Sequence, residues 1–180
     1  MVDDSGSMNN RTDSVNPQTG QSLTRWEETR SRLVQLMEIL AYIPTPTIIV
    51  AFLNRNIQLD LIHNQGEPPA SFFATCCDKI NSVFRERPAG TTPYSARIQQ
   101  SFARFQGKKV AWYFFGDGRI KLATYIVNNL GVPDGGQMGI KQIESAVANR
   151  QNPQQNPVTF FSCTNEDSEV EWMKNLEGLN

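Results

Sequence analysis

The 180-residue chain is 39% hydrophobic and carries 17 basic against 18 acidic side chains, a formal net charge of -1. That is enough apolar material for one compact core, so a single domain over residues 1–180 is expected, and the balanced charge with no basic run argues against nucleic acid as a partner. No stretch has the length of a membrane span, and three cysteines without metal-ligand spacing, Cys76, Cys77 and Cys163, predict free, packed thiols in a reducing, intracellular compartment.

The chain opens on Met1-Val2-Asp3-Asp4-Ser5-Gly6-Ser7-Met8. One carboxylate and two hydroxyls fall at alternate positions, Asp3, Ser5 and Ser7, in a turn loosened by Gly6. Three hard oxygens can then converge on one point and select a hard cation, Mg²⁺ or Mn²⁺. Alone, such a run is also the ordinary composition of an exposed loop. Residues 9–23 are polar, aperiodic and interrupted by Pro17, and read as a solvated loop. Thr24-Arg25-Trp26-Glu27 has the form of a capping box, and Trp26, Leu33, Met37 and Leu40 recur at helical spacing to about Tyr42, where Pro44 and Pro46 stop the helix.

Thr47 to Leu53 is an unbroken apolar run, the pattern of a parallel strand covered on both faces. After an Asn54-Arg55-Asn56 turn, Ile57, Leu59 and Leu61 alternate with polar positions and predict a half-exposed antiparallel edge strand. His63, the one histidine, stands where that strand gives out and reads as a strand-end residue. Phe72, Phe73, Cys76, Ile80 and Phe84 form a helical stripe between about Pro69 and Arg87. The loop Arg87-Pro88-Ala89-Gly90-Thr91-Thr92-Pro93 then brings two hydroxyls to the start of a helix through Ile98, Phe102 and Phe105, with Pro93 as its first residue.

Lys109 to Phe115 is the second buried strand, and it delivers Asp117 between Gly116 and Gly118. Two further helices are expected at Lys121 to Leu130 and Met138 to Asn149, around a Gly131-to-Gly139 loop. A polar linker, Gln151 to Pro157, leads to a third parallel strand, Val158 to Cys163, and to an acidic-capped helix from about Glu166.

Taken in order, the Asp-x-Ser-x-Ser loop, the threonine loop and the Asp117 loop resemble the von Willebrand factor A (vWA) domain with its metal-ion-dependent adhesion site. The resemblance covers nearly the whole chain and implies an α/β fold. Its form would be a doubly wound, mostly parallel sheet with one antiparallel edge strand and helices on both faces, shortened here at both ends. It implies that Asp3, Ser5, Ser7, Thr92 and Asp117 hold Mg²⁺ or Mn²⁺, the hydroxyls directly and the aspartates directly or through water; Thr91 is the alternative to Thr92. It also implies a non-enzymatic module that recruits an Asp or Glu of a partner protein to the metal. Two departures stand out: only Met1 and Val2 precede Asp3 where the family has a full strand, and Gly116 stands where the family usually has threonine. Two other readings remain open, a metal-dependent hydrolase or phosphotransferase using Asp3 or a serine, and a scaffold domain with a vestigial metal site. The first lacks a second carboxylate at Ser5 and a nearby base.

Overall fold

The computed structural model describes residues 1–120 and 136–176. Helix α1 (Arg25–Leu40) starts as its capping box dictates, with the Thr24 hydroxyl accepting from the Glu27 amide and the Glu27 carboxylate accepting from the Thr24 amide. It is followed by strands β3 (Thr47–Ala51) and β4 (Gln58–Ile62), helices α2 (Pro69–Phe84) and α3 (Tyr94–Arg104), and strand β5 (Trp112–Gly116). Helix α4 (Gly136–Ala148), strand β6 (Val158–Ser162) and helix α5 (Asp167–Lys174) complete the described chain. The expected helix at Lys121 to Leu130 lies outside the described residues.

The strands correct the sequence reading. Among the described residues there are three two-stranded sheets, β1 (Arg11–Val15) with β2 (Ser22–Thr24), β3 with β4, and β5 with β6. The first two are antiparallel and only β5–β6 is parallel, so the chain does not form a doubly wound, mostly parallel sheet. The physical reason lies in the pairing: a ladder needs several consecutive residues, and between these sheets Val2 makes isolated parallel bridges to Phe52 and Phe115. Of Thr47 to Leu53, expected as a parallel strand, Thr47 to Ala51 pair with antiparallel β4, Val50 opposite Leu59.

A second correction concerns residues 9–23, expected as loop. Gly6–Asn9 form a single 3-10 turn and β1 and β2 form a hairpin. Its tip is closed by Asn16, whose side-chain oxygen accepts from the amides of Gln18 and Thr19.

Successive residues of a strand point to opposite sides, and the core divides accordingly. Val2, Phe52 and Phe115 pack with α1 and α2 through Trp26, Leu33, Met37, Phe72, Ile80 and Phe84. Leu53 and Phe114 pack on the other side with Tyr94, Ile98, Ile143, Val147 and Trp172. Helices thus flank the strands on two sides, and the segments that follow Val2 and β5, together with the one that precedes α3, emerge next to one another. Among the described residues no helix is long and apolar enough to cross a membrane.

Candidate metal site

The backbone draws the three loops together. Val2 accepts from Leu53 and donates to Ala51, the Asp3 amide donates to Phe115 at 2.8 Å, and the Gly6 amide donates to the Gly90 carbonyl at 3.1 Å. The Ala89 amide donates to the Asp4 carbonyl at 2.8 Å. Loop one is therefore pinned to both the strand that delivers Asp117 and the loop that carries Thr92.

Asp3 is fully buried. Its Oδ1 accepts from the Ser5 amide at 2.8 Å, which folds the chain so that the Ser5 and Ser7 hydroxyl oxygens sit 3.1 Å apart. Its Oδ2 is buried without a hydrogen-bond partner among the described residues. Burial, and next the charge of Asp117, push the Asp3 carboxyl up to about 7, so the ionised form is disfavoured where no cation stands beside it. Thr92 is half-buried, whereas Thr91 is exposed; the Thr92 carbonyl accepts from the Tyr94 amide as α3 begins.

Asp117 is also fully buried. Its Oδ1 accepts from the Arg119 amide at 3.0 Å and its Oδ2 is bound by Arg25 Nη1 at 2.7 Å. The glycines around it are both required. A Cβ on Gly116 would lie 1.6 Å from the Tyr94 hydroxyl and 3.1 Å from the Asp3 Cβ, so the threonine of the vWA pattern has no room here. Gly118 adopts φ +73°, and a Cβ there would meet the Glu169 carbonyl at 2.4 Å.

Three residues that sequence reasoning missed organise the site. Arg25, 2% exposed, reaches from the first residue of α1 to Asp117, to Thr164 at 2.9 Å, and to Glu166 and Glu169 at 3.0 Å each. Arg119 closes the same network, with Nε on Glu169 and Nη2 on Glu166. Asp4, buried beside Asp3, holds the end of β3: its carboxylate accepts from the Asn54 amide and side chain and from the Arg55 amide and Nε. The one signal available for Arg25 is its position, since a cation in the first turn opposes the helix dipole and must be compensated elsewhere.

Among the described residues no group of three or more His, Cys, Asp or Glu side chains is arranged to hold a metal. The donors placed together here are the Asp3 carboxylate and the Ser5 and Ser7 hydroxyls, oxygens of the kind a hard cation takes; Asp3 Oδ2 accepts no well-formed hydrogen bond among the described residues, with the Tyr94 hydroxyl packed nearby. Asp117, committed to Arg25, suits contact through water better than direct ligation. His63 stands apart, stacked 4.3 Å from the Phe72 ring with Nε2 against the Glu67 carbonyl. Comparison with known protein families, with curated proteins and with solved structures found no match for this chain.

Proposed function

We propose that the chain is a divalent-cation-dependent protein-binding module of the vWA type, in which Asp3, Ser5, Ser7 and Thr92, supported by Asp117, hold Mg²⁺ or Mn²⁺ and present it to an acidic side chain of a partner protein. The observation that carries this reading is the Asp3 carboxylate, fully buried and with Oδ2 unpartnered among the described residues, near the Asp117 carboxylate and the paired Ser5 and Ser7 hydroxyls. A bound Mg²⁺ would supply the missing counter-charge and an electrophilic position that a carboxylate completes. The chain's own residues fix the donors: the Ser5 amide orients Asp3, the Gly6–Gly90 bond holds the hydroxyl loops together, and Arg25 holds Asp117.

The reading is of a binder rather than a catalyst. A serine nucleophile needs a free base, and the carboxyl beside Ser5, Asp3, is the group this reading commits to the cation, while the Ser5 hydroxyl pairs with Ser7 and His63 is engaged at Phe72 and Glu67. The vestigial-scaffold reading has one observation of its own, the ion pair that already neutralises Asp117.

The test is thermal unfolding and calorimetry with Mg²⁺. A cation that binds only the folded state adds roughly 1.4 kcal/mol at tenfold excess over its Kd. Wild type should gain this increment, Ser7→Ala should need a higher concentration for it, and Asp3→Ala should gain nothing. Unchanged wild-type melting together with no heat of binding would leave the scaffold reading standing in its place.

A further inference from the structure

A polar cleft of about 510 Å³ lies against the metal loop, between the β1–β2 hairpin and the segment that links α2 to the threonine loop. Asn9 and Pro88 form its near edge, and the Asn9 amide donates to the Pro88 carbonyl at 2.9 Å. The cleft therefore begins two residues beyond Ser7 and four before Thr92. Its volume is in the range of pockets that enclose a ligand.

Beneath the cleft lies a buried aromatic stack. Trp26 stacks on Phe84 at 4.0 Å, and its indole N–H donates to the carbonyls of Phe84 and Glu86, which fixes the backbone of the Arg85-Glu86-Arg87 turn. The rim is positive. Arg11, Arg85 and Arg87 line it with Glu27 and Glu86. Glu27 is used by the amide and hydroxyl of Thr24, and Glu86, exposed and 3.6 Å from Arg55, leaves the rim with three arginines to two glutamates. Arg85 and Arg87 are exposed and make no ion pair among the described residues. In a chain of net charge -1, two uncommitted guanidinium groups on an anchored turn select an anion, and their planar forks suit carboxylates.

We infer that this cleft receives the acidic stretch of a partner's polypeptide next to the carboxylate directed at the metal, with Arg85 and Arg87 reading at least one further Asp or Glu. The inference rests on the metal-dependent reading and extends it from one acidic residue to an acidic segment. An extended peptide advances about 3.3 Å per residue, so carboxylates two or more residues apart can address the loop and the cleft together. Rim arginines act mainly on encounter and selectivity, while the buried Trp26–Phe84 stack beneath them holds their turn in place.

The experiment uses a fluorescein-labelled ten-residue peptide alternating Asp and Ser, its Asn counterpart, and a short single-stranded oligonucleotide, followed by anisotropy with Mg²⁺ and with chelator. The proteins are wild type and the Arg85→Gln/Arg87→Gln double variant, both of whose substitutions are on the surface. The acidic peptide should bind wild type in Mg²⁺, and the double variant should lose roughly tenfold in affinity, at about fivefold or less per exposed pair, while its Mg²⁺-induced melting shift stays unchanged. Equal affinity in the two proteins, equal binding of the Asn peptide or of the oligonucleotide, or no binding to wild type would each overturn the cleft assignment. Loss in the double variant with indifference to chelator would uphold the cleft and refute the metal reading.

Discussion

Replacing Asp3 by Asn should stabilise the protein when divalent cations are chelated, which is the reverse of what deleting a buried, hydrogen-bonded residue usually does. The carboxyl titrates at about 7 in the folded chain against an ordinary 3.8, chiefly because it is buried and then because Asp117 is near. A folded-state value above the unfolded one means that the fold prefers the protonated form. The stability this carries is complete below about pH 3.8, fades as pH rises towards 7, and is gone above it. At pH 8 the ionised Asp3 therefore costs on the order of 4 kcal/mol, taking the difference between about 7 and 3.8 at 1.36 kcal/mol per pH unit. Asparagine removes that cost and keeps an oxygen for the Ser5 amide. Urea unfolding with chelator from pH 4 to pH 8 should show the variant matching wild type at the acid end and exceeding it increasingly towards pH 8. Adding Mg²⁺ should stabilise wild type alone and narrow the gap. A variant equal to or weaker than wild type at pH 8, or a difference that does not change with pH, would refute the idea that Asp3 is an anion lacking its counter-charge.

Arg25→Met should cost about 3–5 kcal/mol in urea unfolding, because it leaves Asp117 buried without its cation, and Arg25→Lys should recover only part of that since one ammonium cannot span Asp117, Thr164 and two glutamates. Gly116→Ala should destabilise by more than about 2 kcal/mol, and Tyr94→Phe in the same chain should recover part of the loss by removing the oxygen that lies 1.6 Å from the new Cβ. Thr24→Ala should cost about 1 kcal/mol through loss of the capping box, read as a lower melting temperature with no change in Mg²⁺ affinity.

The helices were legible because each carries its own period or its own cap: Trp26, Leu33, Met37 and Leu40 line one face of α1, and Phe72, Cys76, Ile80 and Phe84 one face of α2, and all eight are buried. The parallel pair β5–β6 was legible as two apolar runs. The hairpin of β1 and β2 was not, because it lacks an apolar face: of β1 only Thr12 is buried, and Val15 is 56% exposed. It is held instead by the Asn16 turn and by main-chain bonds, which leave no period-two trace in the sequence. The expected sheet failed for a related reason. Apolar runs announce strands but not their partners, and among the described residues the β3–β4 and β5–β6 sheets are bridged through Val2.

Of the candidate donors, Asp3, Ser5 and Ser7 stand out by their alternation, and Thr92 and Asp117 enter through the resemblance. Arg25 was read only as a residue inside a capping motif. Yet it is the one local choice in that motif that conflicts with its surroundings, a positive charge at the positive end of a helix, and such conflicts mark places where tertiary structure has claimed the side chain. Its consequence bears on how the proposed site would work. Arg25 binds Asp117 at 2.7 Å and offsets part of its charge, so Asp3 is the one carboxylate at the loop face with no cation beside it among the described residues. A divalent cation bound beside one uncompensated carboxylate and neutral hydroxyls would keep a net charge of about +1, whereas two free aspartates would have cancelled it. On the proposed reading, the buried ion pair is what preserves the site's attraction for an incoming acidic side chain.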